Sequence, residues 1–333
     1  MQNEVNIPNN RLCCLLESFD RLFFSLVDYH NTFFMSNDPE KIIEFYSHFK
    51  TIDELIKWMK ERPKGVNYIH EVEGNKDIIV VIPTADFDGK YAKACRDEIF
   101  KGLHMIFVES GGKGDFYFNY AHNCNVGIKK ALEYSPKWII VSNDDMYKID
   151  DISILIKELG RLDYDKPITV LSKYKKGESH SYKRCIGEKG FLYNIAYFFY
   201  NIFKLKKRIR NYNKYIKFNN KLGYIDASGS IFRNIFPKFL LKNSRCFIMT
   251  GDFGIFSRKF LNESKNILFD HTFINCHEDM ALCYEISISK NKYIYFINYN
   301  IGSIGGISLG KDTLRVLRYY IINDLYFIYK YKI

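Results

Sequence analysis

Three short, uninterrupted apolar runs mark the first half of the chain: Asp77–Thr84 (DIIVVIPT), His104–Val108 and Trp138–Val141. Runs of this length without a polar alternate predict strands buried on both faces. Helical spacing separates them, over Tyr91–Gly102 and, after Asn125, on to Tyr134. Strand, helix, strand, helix, strand predicts right-handed crossovers and a mainly parallel sheet of the α/β class. The polar strand ends, Thr84 to Asp86, Glu109 and Asn143 to Asp145, then fall on one edge of the sheet. That edge is where open α/β sheets bind ligands.

Around this unit the pattern is helical. Apolar positions from Leu12 to Leu26 predict one helix, Asp38-Pro39 opens a second, and Thr51-Ile52-Asp53-Glu54 reads as a capping box for a third, stopped at Arg62-Pro63. Phe247–Ser257 reads as a strand pair around a Gly251-Asp252 turn, and Glu278-Asp279 opens a helix with Met280, Leu282, Cys283 and Ile286 on its apolar face. Tyr293–Ile297 is a further strand, residues 301–310 a Gly- and Ser-rich loop, and Thr313–Lys332 an amphipathic helix. The organisation expected is a helical region at 1–75, an α/β unit at 76–312 with a helical, basic and aromatic insertion at about 173–245, and a C-terminal helix at 313–333.

The insertion is where composition changes the picture. Phe191–Phe203 is dense in Phe, Tyr and Ile, and Lys204–Lys221 then carries eight Lys and Arg residues with no acidic one. Three readings stay open: a hairpin packed on the domain, contact with an anionic membrane surface, and nucleic-acid binding, which ranks last. A net charge of +11 favours anionic partners without choosing among them. Eight cysteines without a CxxC pair suggest reduced, packed thiols and a cytoplasmic protein, peripheral at most to the inner face of the membrane. No apolar run approaches the roughly 20 residues of a membrane span, and no secretory signal opens the chain.

The chemistry gathers at two acidic pairs. Asp144-Asp145 follows the Trp138 strand directly, and adjacent carboxylates repel unless a cation or donor satisfies them, so a hard divalent ion is the natural partner. Glu278-Asp279 sits at a helix start, where a carboxylate is stabilised as an anion and can accept a proton. The alternatives are a solvated turn for the first pair and ordinary first-turn charge for the second.

In sequence order, DIIVVIPTAD, FVESGG, FNYAHNCNVGIKKAL, SNDDM, GDFGIFSRKFL and LFDHTFINCHEDMALC resemble the motifs of family-2 glycosyltransferases of the GT-A fold, over roughly residues 77–310. The resemblance implies an inverting transferase that moves a sugar from a nucleotide-sugar donor to a hydroxyl of a glycan, lipid-linked or protein acceptor. In that family pattern Asp145, in a DXD-like motif, would hold Mg²⁺ or Mn²⁺. Pro83, Thr84, Asp86, Glu109, Asn125 and Asp144 would bind the nucleotide, and Gly251 and Asp252 would lie on the acceptor side. Asp279, beside Glu278, would be the general base. Several positions depart from the pattern: Ala85-Asp86 for a Tyr-Asn pair, Glu109 for an Asp, Cys124 for an Arg, Ser303 for a late His, and Ala281 for an acidic residue. These losses leave fewer protein ligands for a metal, and the alternative they suggest is a degenerate transferase fold that binds membrane or nucleic acid.

Overall fold

The structure, a computed structural model, describes residues 32–111, 115, 117–172, 181–203, 209–210, 222–226, 237–265, 267–304 and 312–332. The helix expected from Leu12, the Lys and Arg residues of the 204–221 run apart from Arg210, and the loop at 305–311 lie outside them.

Thirteen strands occur among the described residues: β1 Tyr68–Val72, β2 Asn75–Thr84, β3 Leu103–Glu109, β4 Trp138–Ser142, β5 Met146–Lys148, β6 Ile168–Ser172, β7 Ser181–Lys189, β8 Ile209–Arg210, β9 Leu222–Asp226, β10 Leu241–Thr250, β11 Phe253–Ser257, β12 Tyr293–Ile297 and β13 Ile301–Ser303. Seven build the central sheet, in the order β1-β3-β2-β4-β11-β6-β12. Strands β3, β2, β4, β6 and β12 run one way, and β1 and β11 run against them. The sheet is mixed with a parallel majority, as the buried runs predict.

Alternate residues divide between its faces. Ile78, Val80, Ile82, Phe107, Trp138 and Ile140 pack under Cys95, Ile99 and Leu155. Ile79, Val81, Ile106, Val108, Ile139 and Val141 pack under Cys124, Ile128, Leu282 and Ile286. Helices cover both sides, so each full-length apolar side chain buried here stabilises the fold by roughly 1.5–3 kcal/mol. The helix Tyr120–Leu132 lies close on the sheet because Gly127 has no side chain; a Cβ there would stand 2.4 Å from Val81 Cγ1 and 2.9 Å from Val108 Cγ2.

Several expectations need correction. The insertion is not purely helical: it contributes a four-stranded antiparallel sheet, β10-β7-β9-β8, beside the helix Phe191–Phe203. Polar positions in SYKRCIGEK hid β7 from the sequence pattern. The strands flanking Gly251-Asp252 do not pair with each other; β10 belongs to the small sheet and β11 to the central one. The helix Tyr120–Leu132 starts before Asn125, because the Asn119 side chain accepts the His122 N–H and caps it. Cys185 and Cys246, directly opposed on β7 and β10, form a disulfide, whereas Cys95, Cys124 and Cys283 are buried free thiols.

The N-terminal helices Pro39–Ser47 and Ile52–Glu61 pack against the C-terminal helical segment. Ile42, Phe45, Tyr46, Leu55 and Met59 share one core with Leu317, Ile321, Leu325 and Phe327 of the C-terminal helical segment, with Met280 and Tyr284 between them. The Tyr46 hydroxyl donates to Leu317 O across that contact (2.6 Å).

Candidate functional site

Parallel pairing of β2 with β4 sets Thr84 beside the residues that follow Ser142. Thr84 Oγ1 donates to Asp144 Oδ2 at 2.8 Å and accepts the Asp86 N–H at 3.3 Å. On the other side of β4, the register Phe253↔Ser142 puts Asp252 opposite Asn143, and Asn143 N–H donates to Asp252 O (2.9 Å). The ladder of β5 with β13 continues into Ile304, whose N–H donates to Asp145 O at 3.0 Å. Three separate stretches of chain thus meet at Asp144-Asp145.

The electrostatics follow from burial. Asp145 is 8 % exposed, and its Oδ1 has no hydrogen-bond partner. Burial pushes its carboxyl above the usual range, Asp252 and Asp144 push it further, and the Asn143 side chain opposes them. Asp144 is raised by burial against the pull of the Thr84 hydroxyl. Ser303, at the position of the resembled family's late His, is one residue from the Asp145 contact, with its Oγ buried and unpartnered. Among the described residues no group of three or more His, Cys, Asp or Glu side chains is arranged to hold a metal ion. The buried, unpaired Asp145 oxygen beside Asp144 still presents hard donors that suit Mg²⁺ or Mn²⁺, provided phosphate or water completes the shell.

Asp279 and Glu278 open the helix Glu278–Ile288. Burial raises the Asp279 carboxyl, Asp252 adds to it, and the Met280 N–H (2.6 Å to Oδ1) and the Arg184 guanidinium oppose it. Glu278 is raised by burial and then by Asp279, and its Oε2 has no partner. Asp252 therefore acts on both Asp145 and Asp279, which links the two acidic pairs through one intermediate carboxylate. Tyr120, half-buried at the start of its helix, has its hydroxyl pushed up by desolvation, with Cys124, Glu278 and Asp252 adding to it.

Asparagines and a latch hold this geometry. Asn119 Nδ2 donates to His271 O and Phe273 O, and Asn323 clamps Ile274 through both its N–H (2.8 Å) and its carbonyl (2.9 Å). His277, with left-handed backbone (φ 74), donates from Nε2 to Asp324 Oδ1 at 2.7 Å, both side chains buried. The residue before the acidic helix is thereby fixed from the C-terminal helix.

Other expected residues have partners within the fold. Asn125 spends its whole amide on the main chain: Nδ2 donates to Phe269 O, and Oδ1 accepts from Leu268 and Phe269. Glu109 Oε2 lies 2.6 Å from His70 Nε2, and the His70 ring stacks on Phe87 with centroids 4.3 Å apart. Asp86 is exposed, with Oδ1 accepting the Asp88 N–H in the turn that leads into the next helix. Pro83 is buried and Gly251 exposed. Sequence reasoning missed Tyr120, Arg184 and His70. The last lies on β1, an edge strand whose alternating exposure has no apolar run to announce it.

No protein-family model and no curated protein matches the chain.

Proposed function

We propose that this protein is a GT-A-type glycosyltransferase that moves a sugar from a nucleotide-sugar donor to an acceptor hydroxyl on a glycan, a lipid-linked molecule or a protein. What supports the reading is the geometry at Asp144-Asp145, where Thr84 donates to Asp144, the Asp252 carbonyl accepts from Asn143 and the Ile304 N–H donates to Asp145 O, together with the Asp252 charge raising both Asp145 and Asp279. A parallel-majority sheet with its carboxylates at the C-terminal ends of β2 and β4 supports a nucleotide site there.

In this mechanism Asp145, assisted by Asp144, would hold Mg²⁺ or Mn²⁺, which when bound neutralises the charge of a nucleoside diphosphate leaving group. Thr84 holds the Asp144 carboxylate through its hydroxyl. Asp279 takes the proton of the acceptor hydroxyl while the acceptor oxygen bonds to the anomeric carbon and the bond to the diphosphate oxygen breaks. Attack from the opposite face inverts that carbon. Arg184 favours the ionised form of Asp279, and Glu278, buried beside it, holds its own proton into the neutral range. Among the described residues no helix is long and apolar enough to cross a membrane. The expectation of a cytoplasmic protein rests on reduced thiols, and the Cys185–Cys246 bridge counts against that ground.

The test is a thermal-shift screen of nucleoside diphosphates and their sugars, with and without Mn²⁺, followed by assay of diphosphate release. Asp279→Asn should abolish transfer while nucleotide binding persists. Asp145→Ala should remove the Mn²⁺ dependence of binding. Equal loss of binding and transfer in Asp279→Asn would take the base role away from Asp279.

A further inference from the structure

Three stretches remote in sequence are tied together at the first turn of the helix Tyr120–Leu132. Gly65 N–H donates to Tyr117 O (2.8 Å), Arg62 Nη2 to Phe118 O (3.0 Å), and Asn119 Nδ2 to His271 O (3.0 Å). The side chains they bring together are basic. The His122 and His271 rings stand 5.9 Å apart, centre to centre; Lys64 acts on both, and Arg62 acts on Lys64. Among the described residues none of the four has a carboxylate partner, and neither imidazole makes a hydrogen bond. Lys64 Nζ donates only to Arg62 O (2.6 Å). Arg62 is 3 % exposed, lies against the Phe34 ring, and leaves Nε and Nη1 unpartnered.

The acidic groups facing the cluster are engaged elsewhere. Asp270 acts on Lys64 and His271, but its Oδ1 accepts the Thr272 N–H and its Oδ2 accepts from Tyr326 and Lys330. Asp115 and the phenols of Tyr319 and Tyr117 act on Arg62, and Asp115 Oδ1 accepts the Tyr117 N–H. Burial, and then the Arg62 charge, push the Lys64 ammonium down to about 8. Burial and the neighbouring cations hold both imidazoles below their usual range. Like charges gathered in a half-buried place repel, and an anion among them reverses the sign of every one of those interactions.

We propose that Lys64, His122, His271 and the buried Arg62 form an oxyanion site that takes a phosphate group, either the free ion or one carried by a substrate. His271 is exposed and Lys64 and His122 are half-buried, so the cluster is reached from solvent. A carboxylate would bring one negative charge, whereas a phosphate brings about two and offers several acceptor oxygens to donors arriving from separate stretches. The positive end of a 13-residue helix adds to the attraction. The site does not use Asp144, Asp145 or Asp279, so it stands whether or not sugar transfer is the activity.

The experiment is isothermal titration calorimetry of the full chain with sulfate, inorganic phosphate and glucose 1-phosphate, in EDTA to keep divalent ions out of the acidic cleft. Sulfate keeps its charge across the neutral range, so any pH dependence of its binding belongs to the protein. Binding at one site is expected, about tenfold tighter near pH 6 than near pH 8, because His122, His271 and Lys64 take up protons with the anion. Lys64→Gln and, separately, His271→Gln should each weaken binding by about tenfold, with the circular dichroism spectrum unchanged. The double variant His122→Gln, His271→Gln should flatten the pH dependence. Tighter binding of glucose 1-phosphate than of inorganic phosphate assigns the substrate-borne group, and the reverse order assigns the free ion. No anion binding, sulfate affinity equal at the two pH values, or affinity undiminished in both single variants overturns the proposal.

Discussion

Replacing Glu278 by Gln isolates the cost of the buried acidic pair. Glu278 is 7 % exposed, its Oε2 lacks a partner, and burial and Asp279 both push its carboxyl up. A carboxyl raised in the folded state binds its proton where the unfolded chain has already released it. Stability is then fully present below the ordinary carboxylate range and is lost as pH rises toward the folded value. A carboxyl carried from the ordinary range to near neutrality is worth about 3–4 kcal/mol. Glu278→Gln removes that term, because the amide does not titrate. Near pH 5 the variant should match the wild type or fall slightly below it, and near pH 8 it should exceed it by about 3 kcal/mol, or about 5 °C in Tm for a chain of this size. Thermal or urea unfolding of both proteins at the two pH values measures the difference. A gap between variant and wild type that does not change with pH would refute the assignment of a raised, proton-holding carboxyl to this position.

Gly127→Ala gains about 1 kcal/mol in helix propensity but drives a Cβ into Val81 and Val108, and overpacking costs about 1–3 kcal/mol, so a net loss is expected by chemical denaturation. Asn125→Ala strips two N–H groups and a carbonyl of their partners and should cost about 2–3 kcal/mol while leaving nucleotide affinity unchanged, as calorimetry can check. Asp324→Ala leaves a buried His277 without its carboxylate, at an expected cost of about 3–5 kcal/mol in urea unfolding; a change within error would refute the latch. Denatured, unreduced protein should titrate at least two fewer thiols than reduced protein, from the Cys185–Cys246 bridge.

The central strands were legible because both faces of the sheet are covered, so Ile78 to Ile82 and Trp138 to Val141 carry no polar alternate. Asp144-Asp145 followed from the end of such a run, and the helix at Glu278 from the apolar positions behind it. The edge strand β1 was hidden because YIHEV alternates only weakly, and β7 because its polar residues face neighbours within a second sheet. The antiparallel entry of β11 between β4 and β6 has no local signature; it depends on long-range pairing, and Asp252 reaches Asn143 only through it. Asn125 illustrates the converse limit. Its place in a motif suggested a ligand, and no sequence pattern announced the three hydrogen bonds by which it holds the segment at Leu268.

Asn323 and Asp324 fasten a loop whose Ile274 lies 49 residues earlier in the chain. At about 5–20 residues per second, the loop is synthesised about 2–10 s before its fastener. A nascent polypeptide can therefore assemble β2, β3 and β4, with Thr84 against Asp144, while Glu278 and Asp279 still lack their final enclosure. Maturation of the acidic helix is a late event of synthesis, and a ribosome stalled ahead of Asn323 would display the first carboxylate pair without the second in working order.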